Sequence, residues 1–82
     1  MESNKKEILN IATGDPEIVE NVIQKVNKIY KTAFKLLGDE EKDGVEFALV
    51  EKGKATSDEI FLLGFYYGAK VKELRDKKEI DW

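Results

Sequence analysis

Apolar residues recur at steps of three and four over two long stretches of this chain, and that spacing predicts two long helices. In the first stretch Val19, Val22, Val26, Ile29, Ala33 and Leu36 form one stripe, and Ile23, Tyr30, Phe34 and Leu37 lie on an adjoining one. Asp15 suits the N-cap, Pro16 the first helical position, which needs no N–H partner, and Glu17 the positive end of the dipole. Gly38 stops the run, so the helix is expected from Pro16 to Leu37, about 33 Å long at ~1.5 Å per residue. In the second stretch Thr56-Ser57-Asp58-Glu59 spells a capping box, in which Thr56 and Glu59 satisfy each other's backbone donors. Ile60, Gly64, Tyr67, Val71 and Leu74 follow as one stripe, with Phe61, Phe65 and Gly68 beside it, before the charged run from Arg75 to Glu79.

Two shorter apolar segments fill the remainder. Ile8, Leu9, Ile11 and Ala12 are expected in a helix from about Asn4 to Thr13, capped by Ser3 or Asn4 and ended by Gly14. Asp39 to Gly44 reads as an acidic turn. Beyond it Val45, Ala48, Leu49 and Lys52 would share one face of a short helix, whereas the alternation Val45, Phe47, Leu49 would suit a strand with no obvious partner. The fold expected is therefore all-α, one domain over residues 1–82, with four helices: two long ones packed antiparallel near +20° and covered by two short ones.

Composition narrows the functional classes. A chain of 82 residues has a small core, and with no cysteine it has no disulfide to reinforce it, so self-association becomes an expected source of stability. The uncharged run Ile60–Ala69 is far short of the ~20 residues that span a bilayer, and the opening residues lack the apolar core of a signal peptide. A cytoplasmic protein with no membrane partner is expected. Fourteen basic and seventeen acidic residues give a net charge of −3, unevenly spread: Asn21–Gly38 holds four lysines and no acid, Asp39–Glu59 eight acids and three lysines.

Histidine is absent as well as cysteine, which removes His-dependent triads, thiol proteases and Cys/His zinc sites, so no enzyme and no cofactor are expected. Asp39, Glu41, Asp43 and Gly44 match the first half of a calcium loop, but Val50 stands where the closing carboxylate belongs, and the run reads as a solvated turn. Lys25, Lys28, Lys31 and Lys35 would share a third of a helix's circumference and touch phosphates. With one arginine and an acidic balance, nucleic-acid binding is nonetheless disfavoured.

Two features bear on packing and partners. Gly64 and Gly68 sit inside a helix, where each costs about 1 kcal/mol relative to alanine, so close approach of another helix backbone or of bulky side chains such as Phe34 and Phe47 is expected there, inside the monomer ahead of an oligomer contact. The seam of Val19, Val22, Val26 and Ile29 is wider than the short helices can cover, which suggests a homodimer through that face, the rival being a monomer whose first helix and C-terminal Ile80 and Trp82 fold back over it. Residues 59–70, Glu-Ile-Phe-Leu-Leu-Gly-Phe-Tyr-Tyr-Gly-Ala-Lys, followed by Glu73, resemble the last helix of small helical proteins of unknown function from prophages and mobile elements of Gram-positive bacteria. That resemblance implies a helical fold and no particular activity. A mobile-element origin would suit a stoichiometric inhibitor of a host protein, of the anti-defence or anti-CRISPR type. The function expected is a non-enzymatic protein-interaction module with an unidentified protein partner; a small nucleic-acid-associated regulator and a purely structural helical protein are the alternatives.

Overall fold

A computed structural model, describing residues 7–82, shows five elements: β1 (Ile8–Ala12), α1 (Pro16–Tyr30), β2 (Lys35–Lys42), β3 (Val45–Glu51) and α2 (Ser57–Asp76). Both capping signals do what their chemistry requires. Asp15 Oδ1 accepts a hydrogen bond from the Glu17 amide at 3.0 Å with Pro16 in the first turn. Thr56 Oγ1 accepts from the Glu59 amide at 3.2 Å while Glu59 Oε1 accepts from the Thr56 amide at 2.9 Å.

Between these caps the fold is α+β, not the expected all-α helical bundle of four helices. The helix expected up to Leu37 ends at Tyr30, because Lys31 turns into the left-handed region at φ 58° and ψ 35°. Asn27 then holds the departing chain. Its Oδ1 accepts from the Phe34 amide at 3.0 Å and from Thr32 Oγ1 at 2.7 Å, and its Nδ2 donates to the Phe34 carbonyl at 2.9 Å. One side chain thus satisfies both backbone groups of Phe34, much as a neighbouring strand would, and the chain continues as β2.

The acidic segment is the end of a hairpin. Asp43 and Gly44 both have positive φ, 53° and 82°, the signature of a two-residue type I′ turn, and Lys42 faces Val45 across it. β3 is therefore a strand, and the partner it lacked in the sequence is supplied on both sides, by β2 and by β1. The helix expected over Asn4–Thr13 is a strand from Ile8 to Ala12, paired so that Leu9 meets Val50 and Ile11 meets Ala48; Asn4–Lys6 lie outside the described residues.

The strand order β1-β3-β2 is antiparallel throughout, with α1 crossing from β1 to β2 and β3 returning between them, a split β-α-β arrangement extended by α2. The helices cover one face of the sheet. Ile18, Val19, Val22, Ile23 and Val26 of α1 meet Ala48 and Val50 of β3, Leu63 of α2, and Phe34 and Ala55 of the connections; Leu9, Ile11 and Leu36 pack against this core from the strands. Thr13, the buried polar residue, closes the turn into α1, its hydroxyl donating to the Asp15 carbonyl and accepting from the Asp15 amide, both at 3.0 Å. Among the described residues no helix is long and apolar enough to cross a membrane.

Candidate functional site

Alternation along the strands sends Leu9, Ile11, Leu36, Ala48 and Val50 toward the helices, so their neighbours occupy the opposite face. On that face antiparallel sheets commonly carry polar residues facing water. Here Ile8 and Val45 are exposed and Phe47 and Leu49 half-buried, with Leu37 exposed at the bulge between Leu36 and Gly38. Lys35 pairs with Glu51 and Glu40 with Phe47 across the strands, so the apolar patch has a charged rim.

The second bare surface is the outer side of α2. Phe61 and Phe65 are 74% and 61% exposed, the least covered large apolar side chains described. Gly64 and Gly68 open onto the same side, and no atom lies within 4 Å of where a Cβ at either would stand. The close approach expected at these glycines is therefore not made within the protomer. Beside Phe65 a groove of about 290 Å³ runs between the helices, bordered by Asn21, Lys25, Tyr66 and Lys70. Tyr66 ties the helices together: its hydroxyl is 3.2 Å from that of Tyr30, its ring packs edge-on against Tyr30 and Phe65, and Lys25 Nζ sits 5.5 Å above it.

The other residues singled out in the sequence are placed differently. Val19, Val22 and Val26 are buried inside the protomer, Val26 completely, while Ile29 is 48% exposed beyond the end of that buried seam. The lysine stripe does not persist as one helical face, since Lys31 is the left-handed cap of α1 and Lys35 belongs to β2. In β2, Asp39 and Glu41 pair with Ala48 and Glu46 on the helix side and Glu40 with Phe47 on the other, so the acidic run does not wrap as a loop. Asp39, Glu41 and Glu46 border an open cleft of about 670 Å³ with Gly14 and Trp82. The hydrogen bond with Asp39, together with desolvation and the charges of Asp39, Glu41 and Asp15, pushes the Glu46 carboxyl above the usual glutamate range. Among the described residues no three His, Cys, Asp or Glu side chains form a metal-holding group.

No protein family, curated protein or solved structure matches this chain.

Proposed function

We propose that the protein is a non-enzymatic protein-interaction module that docks on a partner protein through the open face of its sheet. The observation that carries this reading is the apolar surface of Ile8, Leu37, Val45, Phe47 and Leu49 where an isolated antiparallel sheet would carry polar groups. An apolar patch interrupted by Asn10 opposite Leu49, with a rim of Lys35, Glu40, Lys42 and Glu51, is the anatomy of a protein interface. The narrower form, a stoichiometric inhibitor of a host protein of anti-defence or anti-CRISPR type, rests on analogy with mobile-element proteins alone, and the all-helical fold that this resemblance implied is not the fold of this chain. A nucleic-acid-associated regulator is served less well, because Phe47 is the single ring on the described strands and Glu40 stands opposite it.

The test is affinity capture from host cells with the natural protein and with Leu49→Asp, which places a charge mid-face without entering the core. The expected result is a partner retained in equimolar amount by the natural protein and lost by a folded Leu49→Asp variant. Capture of the same proteins by both, or of none by either, overturns the proposal.

A further inference from the structure

The sheet has two edges, and they are built differently. β2 carries Lys35, Asp39, Glu40, Glu41 and Lys42 and a bulge between Leu36 and Gly38, the devices that keep an edge from pairing further. β1 has none of them. It is Ile8-Leu9-Asn10-Ile11-Ala12, with no charge, no proline and no break in register. Backbone groups along an antiparallel strand point alternately toward their partner and away from it. The Thr13 amide donates to the Glu46 carbonyl at 3.0 Å and the Lys52 amide to the Glu7 carbonyl at 3.2 Å, so Glu7, Leu9, Ile11 and Thr13 turn their groups toward β3. Those of Ile8, Asn10 and Ala12 therefore point off the edge of the sheet. Among the described residues, what meets them there is the Tyr67 hydroxyl, which donates to the Ala12 carbonyl at 3.1 Å.

We infer that two copies of this chain pair edge to edge, β1 against β1, antiparallel about a two-fold axis through Asn10, joining their three-stranded sheets into one. This register uses every outward group. Each Asn10 amide donates to the partner copy's Asn10 carbonyl, and each Ala12 amide to the partner copy's Ile8 carbonyl. Each Ile8 amide donates to the partner copy's Ala12 carbonyl, whose second lone pair remains beside the Tyr67 bond. The residue at the axis selects a second copy as the occupant. Asn10 is the single polar residue of β1, and a carboxamide, donor and acceptor at once, complements itself across a two-fold. No charge on the strand repels its copy; the nearest, Glu7, is held by Lys52 at 3.2 Å and faces the partner copy's Thr13 in this register. The pairing also closes. β1 against β2 would leave a free edge on each copy and grow into a filament, whereas β1 against β1 consumes both unprotected edges and leaves a charged, bulged β2 at either end. Alternation is kept, with Leu9 and Ile11 on the helix side, so the pairing leaves the open sheet face free and does not rest on the sheet-face reading. A strand pair of this length buries less than the ~1,200 Å² of stable complexes, so the dimer dissociates at micromolar concentration or above.

Sedimentation equilibrium and amide hydrogen exchange from about 1 µM to 1 mM, the range in which such weak interfaces dissociate, test the pairing. The mass of the natural protein is expected to rise from 9.4 kDa toward twice that value. Exchange at Ile8, Asn10 and Ala12 should slow severalfold as concentration rises, while Leu9 and Ile11, already bonded to β3, change little. Asn10→Pro removes the central donor, and because that N–H points off the sheet the ladder between β1 and β3 keeps its bonds. Its mass should stay at 9.4 kDa with the far-ultraviolet spectrum unchanged. Asn10→Asp keeps the shape but sets two carboxylates across the axis, so it should weaken pairing at least tenfold at neutral pH and recover as pH falls through the carboxylate range. The exchange pattern needs no substitution, so it decides the question even where proline destabilises the fold. A mass of 9.4 kDa throughout for the natural protein, exchange at Ile8, Asn10 and Ala12 that ignores concentration, or an Asn10→Asp variant that pairs as the natural protein does, would overturn the inference. So would pairing that survives Asn10→Pro and is lost on Leu49→Asp instead, which places the contact on the open sheet face.

Discussion

The indole of Trp82 lies on the backbone of Gly14 so closely that a Cβ there would stand 2.5 Å from Trp82 Cε2, a distance carbon atoms do not tolerate. Gly14 needs its missing side chain for this contact rather than for its backbone, since it is not among the residues with positive φ. Gly14→Ala should therefore expel the ring and leave the strand and helix around it intact. Trp82 is the sole tryptophan, so its emission reports the contact directly. A red shift with an unchanged far-ultraviolet spectrum is expected, with a loss of no more than about 1 kcal/mol, because the partly exposed terminal ring is displaced rather than compressed into a core.

Asn27 offers a sharper structural test, because one amide side chain ends α1 and starts the path to β2. Asn27→Ala removes three hydrogen bonds and leaves the N–H and C=O of Phe34 without their partner at a largely buried residue. A loss of about 2–3 kcal/mol is expected, read as a lower urea midpoint with an unchanged slope. Asn27→Asp keeps the acceptor but not the donor and should fall between the two.

Asn27 also shows why the fold class was not legible in the sequence. The apolar steps from Val19 to Val26 continue through Ile29, Ala33 and Leu36 with no break in pattern, and what ends the helix is a polar side chain reaching seven residues ahead. Ile8 and Ala12 put apolar side chains on the open face while Leu9 and Ile11 face the helices, and Asn10 alone is polar, which blurs the alternation that marks a strand. The signal that was available is Asp43-Gly44, a strong short-range sign of a hairpin between apolar runs; reading Asp39–Gly44 whole as an acidic turn that opens a short helix hid it. The helix starts were legible because a cap is decided within four residues. Gly64 and Gly68 were legible as anomalies, but the exposure of Phe61 and Phe65 was not, since α2 carries apolar residues around most of its circumference and no single face announces the core.

The carboxyl pair at the end of the hairpin makes stability depend on pH. Glu46 is held above the usual glutamate range, by its hydrogen bond with Asp39 first and by desolvation and neighbouring negative charge after it. Between the unfolded and folded values the native state binds more protons than the unfolded one, so this group's contribution falls as pH rises from the ordinary glutamate range through the raised value. Glu73, held low by Lys77 and Lys70, acts in the opposite sense, so the comparison must be made against a variant. Glu46→Gln can donate to Asp39 at every pH. Its melting temperature should match the natural protein's at the acid end of that window and exceed it at neutral pH, and parallel curves for the two proteins would contradict the assignment.

The glycines of α2 give the last prediction. A glycine inside a helix is tolerated where its absent side chain lets something else come close, and the compensation then appears as contacts around the position of the missing Cβ. At Gly64 and Gly68 nothing in the protomer lies within 4 Å of that position. Neither has a positive φ, so alanine fits both the backbone and the space. Gly64→Ala and Gly68→Ala should therefore each stabilise the protomer by about 0.5–1 kcal/mol, raising the melting temperature by roughly 2–8 °C in a domain of this size. Calorimetry at the lowest workable concentration keeps any self-association from contributing. Under those conditions a gain shows that the glycines cost the single chain stability and make no compensating contact within it. A loss in either variant would show instead that α2's outer face is covered within one chain in solution.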